Sequence, residues 1–478
     1  MNALLLLPIP ILFLILGLIR QTARWLPALA AGLMIVQLGI ACWVGVIGVC
    51  APITTSADFG LDGVGAAFLI ITTLVATAAL FHAALLLPAE RRETPEISDR
   101  QLCQFYALAG VFLLAMYGVL LAQNLGYLWV AMEATTIVSA PLVFYHRSRH
   151  ALEAAWKYLL LCSVGIAFAL FGTVLLVAAQ YPTGAASLRW HDLLAVAPHC
   201  DPRLLRLAFI FCLLGYGTKA GLFPLHNWLP DAHSEAPAPA SAMLSGALLN
   251  CALVAIWRLA QVMIAAGDGA LVRQMLVPAG AITVLAAGVM LVRQHDLKRM
   301  WAYSSVEHVG LLTLAIGIGA TPLLLLHALN HSLVKVALFL LAGSMLHLYG
   351  TKSLQKLSGL LRTVPAWGVL LVAGTFAIAG SPPFGTFLSE WLLLRDTFGA
   401  GEYLAAGLVI TGLTITFVAL ATHVSRILFG QAATITKPAP TAAWSVAPAV
   451  LLTLALLTGL ALSPPVMHLL ATIGGVVR

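Results

Sequence analysis

Apolar segments of about 20 residues, the length of helix that crosses a bilayer, recur along the whole chain. They run over 3–19, 26–50, 64–88, 101–122, 124–145, 151–180, 203–230, 240–264, 270–292, 301–319, 321–349, 366–394, 403–429 and 443–472. This predicts an all-α polytopic membrane protein with about fourteen transmembrane helices. Composition closes off the soluble classes: 61% of the residues are hydrophobic and 9% are charged, against roughly 25% charged in soluble domains. The formal net charge of +7 sits in short runs between apolar segments, with no basic stripe interleaved with aromatics, so nucleic acid is not an expected partner. The first run, Leu4 to Leu18, lacks a basic flank and a small-residue cleavage site and is expected to be a retained span.

The basic residues orient the spans. Odd-numbered connections carry many, among them Arg91, Arg92, Arg147, Arg149, Lys157, Lys298, Arg299, Lys352 and Lys437. Even-numbered connections and the tail carry fewer: Arg189, Arg203, Arg206, Arg258, Arg273, Arg395 and Arg478. Basic loops stay in the cytoplasm, which places both termini on the outer side of a bacterial inner (plasma) membrane.

Spans four to eight and nine to thirteen form two sets of five, and the fourth member of each is interrupted. The first interruption is KAGLFP, with Gly221 and Pro224; the second is GSPPFG, with Pro382 and Pro383. An odd number of helices per repeat inverts the second repeat, and paired broken segments point to an ion site. The organisation expected is a three-helix segment over 1–100, a first inverted repeat or half-channel over 101–265, a second over 266–430, and a C-terminal helix over 431–478.

Charged side chains inside these spans carry the functional reading, because an ionisable group at membrane depth is costly and is usually paired or lines a wet path. Lys219 lies just before the first break. Glu133 lies near the middle of span five and is expected to pair with it as an electrostatic switch: with the carboxylate close, the lysine holds its proton; with it withdrawn, the buried amine releases one. Thr135, Thr136 and Ser139 are the alternative partners for Glu133. His327, His331 and Lys335 fall at i, i+4 and i+8 on one helix face across about 12 Å and read as a proton wire. His308 follows Glu307, which is expected either to pair with Lys298 or Arg299 or to act with the loop residues. Glu390, beyond the second break, reads as the terminal proton site. His226, Asp231, His233 and Glu235 fit no standard metal spacing and are expected to form a proton intake or docking surface. Glu153 and Lys157 read as an ordinary i,i+4 pair.

The seven cysteines form no CxxC pair and read as small buried hydrophobes. No nucleotide fingerprint, catalytic triad or HExxH occurs. No metal and no cofactor is therefore expected, and any redox centre would belong to partner subunits.

The runs KAGLFPLHNWLPDAHSEAPAPASAMLSG, LKRMWAYSSVEHVG, HALNHSLVKVALFLLAG and AGSPPFGTFLSEW resemble the proton-conducting, antiporter-like subunits shared by respiratory complex I, Mrp antiporters and membrane-bound hydrogenases. Similarity is strongest over about 100–430. The DAHSEAP run, Glu307 before His308, and Glu390 look most like the hydrogenase-4 F-type branch, with the complex I M-type subunit next. The L-type branch is not expected, since no long lateral helix follows the last span. The resemblance implies that Glu133 and Lys219 match the family's glutamate–lysine pair, Lys335 with His331 its central relay, and Glu390 its outer ionisable group. It also implies partners: other membrane subunits and a peripheral redox arm of a multisubunit complex, in which electron transfer drives protons, or sodium ions, through this chain. Ser245 and Asn250 stand where many relatives carry a basic residue, so the bridge between halves is expected to run through water or through His308 and His331. The alternatives are a subunit of a cation/proton antiporter or inorganic-carbon pump, and a structural subunit that no longer conducts.

Overall fold

A computed structural model describes residues 3–94, 96–431 and 441–461. The chain folds into helices α1 (Pro8–Gly17), α2 (Leu26–Cys50), α3 (Gly63–Glu93), α4 (Asp99–Leu121), α5 (Leu125–Val143) and α6 (Arg149–Ala179). There follow α7 (Trp190–Val196), α8 (Pro202–Ala220), α9 (Trp228–Glu235), α10 (Ala238–Met243) and α11 (Leu249–Ala265). The remainder is α12 (Gly269–Val292), α13 (Leu297–Gly317), α14 (Thr321–Tyr349), α15 (Leu360–Thr363), α16 (Pro365–Ile378), α17 (Gly385–Gly399), α18 (Tyr403–Leu428) and α19 (Ala443–Leu460). A two-stranded antiparallel ribbon, β1 (Ile53–Thr54) and β2 (Gly60–Leu61), closes the connection before α3.

Within the described residues the expected spans fall largely on helix, and polar residues at the boundaries set the starts. Side chains of Asp62, Ser98, Asn124, Ser148, Asp201 and Asp296 each accept a hydrogen bond from a backbone N–H in the first turn of α3, α4, α5, α6, α8 and α13, satisfying donors that a helix start leaves orphaned. Among the described residues, ten helices are long and apolar enough to cross a membrane. The first expected span is short, the seventh and twelfth are divided, and α13 is diluted by the polar run from Tyr303 to His308. Of the last expected span, 462–472 lie outside the described residues, as do Lys437 and Arg478.

Contacts between connections fall into two sets. On one side Asp58 pairs with Arg189 at 3.1 Å, Arg206 with Asp268 at 2.5 Å, and Arg273 with Glu402 at 2.6 Å, joining connections that are all even-numbered. Asn124 and Arg189 hold the Asp58 carboxyl below the usual range. On the other side Arg91 meets Asp99, Glu93 meets His347, Lys157 meets Asp231 and Arg299 meets Asp231, linking odd-numbered connections and the helix ends beside them. Arg258 departs from the sequence reading. It lies within α11, fully buried, and its guanidinium binds Asp62 at 2.8 Å together with the carbonyls of Ala122 and Leu120. A guanidinium so placed caps the end of α4 and cannot serve as a loop charge for topology.

The centre of the molecule is the α10–α11 segment with α13 and α14, almost wholly enclosed by other helices. Helices α2, α6, α18 and α19 present large apolar side chains outward, as lipid-facing helices must.

Candidate functional site: a buried polar series across the bundle

Both divided spans resolve their freed backbone groups in ways that shape the site. At the first, α8 ends on Gly221 in the left-handed region (φ +85°), which glycine adopts without steric penalty. The Gly217 carbonyl accepts from the N–H groups of Gly221 and Leu222, and the Thr218 carbonyl from the Trp228 indole at 2.8 Å. The lysine in the last turn, Lys219, is fully buried. At the second, the Ala377 carbonyl accepts from Thr386, and the Ile378 carbonyl from the Nε2 of His308 at 3.1 Å. The break therefore brings a carbonyl to a histidine on another helix.

Lys219 Nζ donates to Thr136 Oγ1 at 2.8 Å and to the Tyr158 hydroxyl at 2.9 Å. No direct ion pair with Glu133 forms, contrary to expectation. The half-buried Glu133 carboxylate is instead held by Ser163 at 2.7 Å and Thr136 at 3.3 Å. Thr136 thus donates to the carboxylate while accepting from the ammonium, one hydroxyl between the two charges. The Tyr158 hydroxyl continues to Ser139 at 2.7 Å, and Ser139 donates to the Thr135 carbonyl. Of the alternative partners expected for Glu133, Thr136 does bind it, whereas Thr135 donates to the Met132 carbonyl and Ser139 to the Thr135 carbonyl. Tyr158 and Ser163 carry no signal in the sequence, because α6 reads as a plain apolar span.

Between the halves there is no titratable bridge on α11. Ser245 and Ser305 share a hydrogen bond at 2.8 Å, Asn250 Nδ2 donates to Ser332 and to the Gly246 carbonyl at 2.9 Å each, and Ser332 donates to the same carbonyl. This cluster sits at a π-helical turn, Leu244–Leu248, which nothing in the sequence announced.

In the second half, Lys335 Nζ donates to the Trp301 carbonyl at 2.9 Å. His327, His331 and Lys335 do share one face of α14, and His308 on α13 meets both histidines: its ring centroid lies 5.0 Å from that of His327 and 5.3 Å from that of His331. His308 Nδ1 and His327 Nε2 are 2.9 Å apart, and His327 Nδ1 lies 2.8 Å from Ser389 Oγ. Ligand atoms of His308, His327 and Glu390 lie within 4.8 Å of one another. Glu307 corrects its expectation. It is fully buried with no hydrogen bond to Lys298 or Arg299; Lys298 donates to the Ala236 carbonyl and Arg299 pairs with Asp231. Thr416 faces the Glu307 carboxyl without completing a hydrogen bond, and the same carboxyl is in electrostatic reach of Lys335 and Glu390. Its place is inside the row, not at the surface.

The loop residues divide. Asp231 is tied to Lys157 at 3.3 Å and to Arg299, and Lys157 to Glu153 at 2.5 Å. Glu235 pairs with Lys352 at 2.6 Å, and Lys352 reaches Asp296 at 3.3 Å. His226 and His233 are buried, stacked on Phe223 and Phe339, and neither ring nitrogen of either has a hydrogen-bond partner.

A family profile described as "NADH:quinone oxidoreductase/Mrp antiporter, TM" matches residues 122–416, the stretch that holds every group just described. The hydrogenase-4 component F homolog of Methylacidiphilum infernorum (isolate V4) is 40% identical over 381 residues, 78% of this chain and 79% of the relative. NADH-quinone oxidoreductase subunit N of Desulforudis audaxviator (strain MP104C) is 32% identical over 366 residues, 75% and 70% of the two chains. Among solved structures, a chain of the membrane-bound sulfane sulfur reductase, an archaeal respiratory membrane complex, superposes with a TM-score of 0.87 at 23% identity, covering 98% of this chain and 96% of that one.

Proposed function

Because the chain belongs to the NADH:quinone oxidoreductase/Mrp antiporter transmembrane family, we propose that it is the proton-translocating membrane subunit of an energy-converting complex of the hydrogenase-4 or formate hydrogenlyase type. Electron transfer in a peripheral redox arm drives the protons, and neighbouring membrane subunits complete the path. The observation that carries the reading is the buried polar series itself: Glu133, Thr136, Lys219 and Tyr158 in one half, and Lys335, Glu307, His331, His308, His327 and Glu390 in the other. Burying so many ionisable groups in a bilayer protein is costly, and proton transfer between them is the use that offsets it.

In this reading the two divided spans are matching members of inverted half-channels over 101–265 and 266–430. The subunit lies in a bacterial inner membrane with both termini outside, which puts the Glu153–Lys157–Asp231–Arg299 ion-pair chain on the cytoplasmic face. His226 and His233 receive protons beneath that face, and Asp231 and Glu235 clasp the connections that dock the redox arm. The Thr136 hydroxyl makes the glutamate–lysine switch indirect: moving Glu133 changes the field at Lys219 by way of a rotating hydroxyl.

The test is coupled proton movement in inverted vesicles driven by the complex's own donor, comparing wild type with Lys219→Ala and Lys335→Ala, after the co-purifying subunits have been identified in mild detergent. Loss of proton movement with retained assembly supports the reading. Asn250 and Ser245 favour a second reading, a subunit that supports the complex without conducting. Unimpaired proton movement in both lysine variants would establish it.

A further inference from the structure

The hydrogen bonds around His308 and His327 bring two ring nitrogens face to face. His308 Nε2 faces the Ile378 carbonyl at 3.1 Å, and a carbonyl only accepts, so that nitrogen bears the hydrogen. His327 Nδ1 faces Ser389 Oγ at 2.8 Å, a hydroxyl that also reaches the Thr386 carbonyl at 2.8 Å and can serve the ring as donor or as acceptor. His308 Nδ1 and His327 Nε2 face each other across 2.9 Å and share one proton between them. With His327 in its Nδ1–H tautomer, donating to Ser389, two imidazole lone pairs converge on that position, the arrangement a metal cation bridges. Glu390 stands at the third corner, 6% exposed, with Oε1 lacking any partner.

We propose that His308, His327 and Glu390 form an inhibitory binding site for a divalent transition-metal ion of the zinc class, which takes the place of the proton between the two imidazoles. The donor set suits zinc: two neutral imidazoles and one carboxylate, with water as a fourth ligand. Tetrahedral zinc with Zn–N bonds of 2.0–2.1 Å needs its two nitrogens about 3.3 Å apart, so the rings open by a few tenths of an ångström. The outer partners are those that orient metal-binding histidines, a backbone carbonyl on one ring and a hydroxyl on the other. Two carboxylates, Glu390 and Glu307 within its electrostatic reach, offset the charge brought in. The site abuts the second break: the Glu390 carboxylate lies over Gly380, and Pro382 and Pro383 nearby are exposed.

The inhibition rests on the proton-translocating reading; the binding does not. The purified complex, stripped with a chelator and titrated with Zn2+, is expected to bind one equivalent more than the His327→Gln or Glu390→Gln variant. The extra zinc is expected to show an X-ray absorption edge fitted by two imidazoles and one or two oxygens. Should either variant fail to assemble, Ser389→Ala serves instead: it frees the His327 ring while leaving all three ligands, and affinity should fall about 10- to 100-fold. Equal zinc content and affinity in wild type and all variants would overturn the site. In energised vesicles Zn2+ should stop proton movement, reversibly on chelation. Binding without that block would keep the site and overturn its place on the proton route.

Discussion

Replacing Tyr158 by Phe isolates the buried lysine's environment without touching the lysine. Lys219 has two side-chain acceptors, Thr136 Oγ1 at 2.8 Å and the Tyr158 hydroxyl at 2.9 Å, and no carboxylate in contact. The substitution deletes one acceptor and keeps the ring, so the 4.8 Å packing on Trp228 and the 5.0 Å cation–π contact survive. A hydrogen bond to a charged group contributes about 1.5–3 kcal/mol. At about 1.4 kcal/mol per tenfold, its loss lowers the ratio of charged to neutral lysine about 10- to 150-fold. If the charged lysine is an obligatory step, coupled proton movement falls by at least about tenfold while assembly is retained. The assay is dye-reported acidification of inverted vesicles, normalised to donor oxidation. A Ser139→Ala variant, which touches only the far side of the tyrosine hydroxyl, should lose much less. Proton movement within about twofold of wild type in Tyr158→Phe, with Lys219→Ala inactive, would show that the hydroxyl does not tune the lysine and would refute the reasoning.

Other expectations follow from single contacts. Asp62→Asn leaves the buried Arg258 guanidinium without its carboxylate and should destabilise the detergent-solubilised protein by about 3–5 kcal/mol, whereas the double variant Asp62→Asn/Arg258→Met should recover most of it; unfolding curves of the single and double variants check the cycle. At Gly380 (φ +62°) a Cβ would lie 1.9 Å from Glu390 Oε2, so Gly380→Ala should displace that carboxylate and abolish proton movement in vesicles without preventing assembly. Asp231→Asn removes the ion pairs to Lys157 and Arg299, both partly exposed and each worth no more than about 1 kcal/mol; proton movement should persist while retention of the redox arm on purification declines.

The helices were legible because bilayer physics leaves one solution for a long apolar run, and both interruptions were legible because glycine and proline punctuate them. The ionisable residues stood out for the same reason, as exceptions to an apolar background. Their partners did not. Tyr158, Ser163 and Thr416 are ordinary residues of apolar helices until the fold turns them toward a charge. For Glu307, adjacency in sequence offers only Lys298, Arg299 or the loop residues as company; helix α13 rotates it inward instead, and Lys298 and Arg299 find other acceptors. Arg258 misled in the opposite way. It lies seven residues before the end of α11, where a basic residue reads as a loop charge, and only Asp62, far away in sequence, shows it to be a buried clasp.

The middle of the series decides what kind of conductor this is. Hydroxyls and amides relay a proton by passing hydrogen bonds along and cannot store one, whereas lysines, histidines and carboxyls can do both. Here the storing groups are confined to the two halves, and the Ser245–Ser305 and Asn250–Ser332 contacts between them are relays only. A charge held on Lys219 therefore has no fixed partner on α11 to receive it. Placing a basic residue at the centre, as in Asn250→His, supplies a storage site next to Ser332. If conduction crosses the middle, this variant should alter the proton yield per donor oxidised; if each half moves its own proton to one face, the yield should stay unchanged.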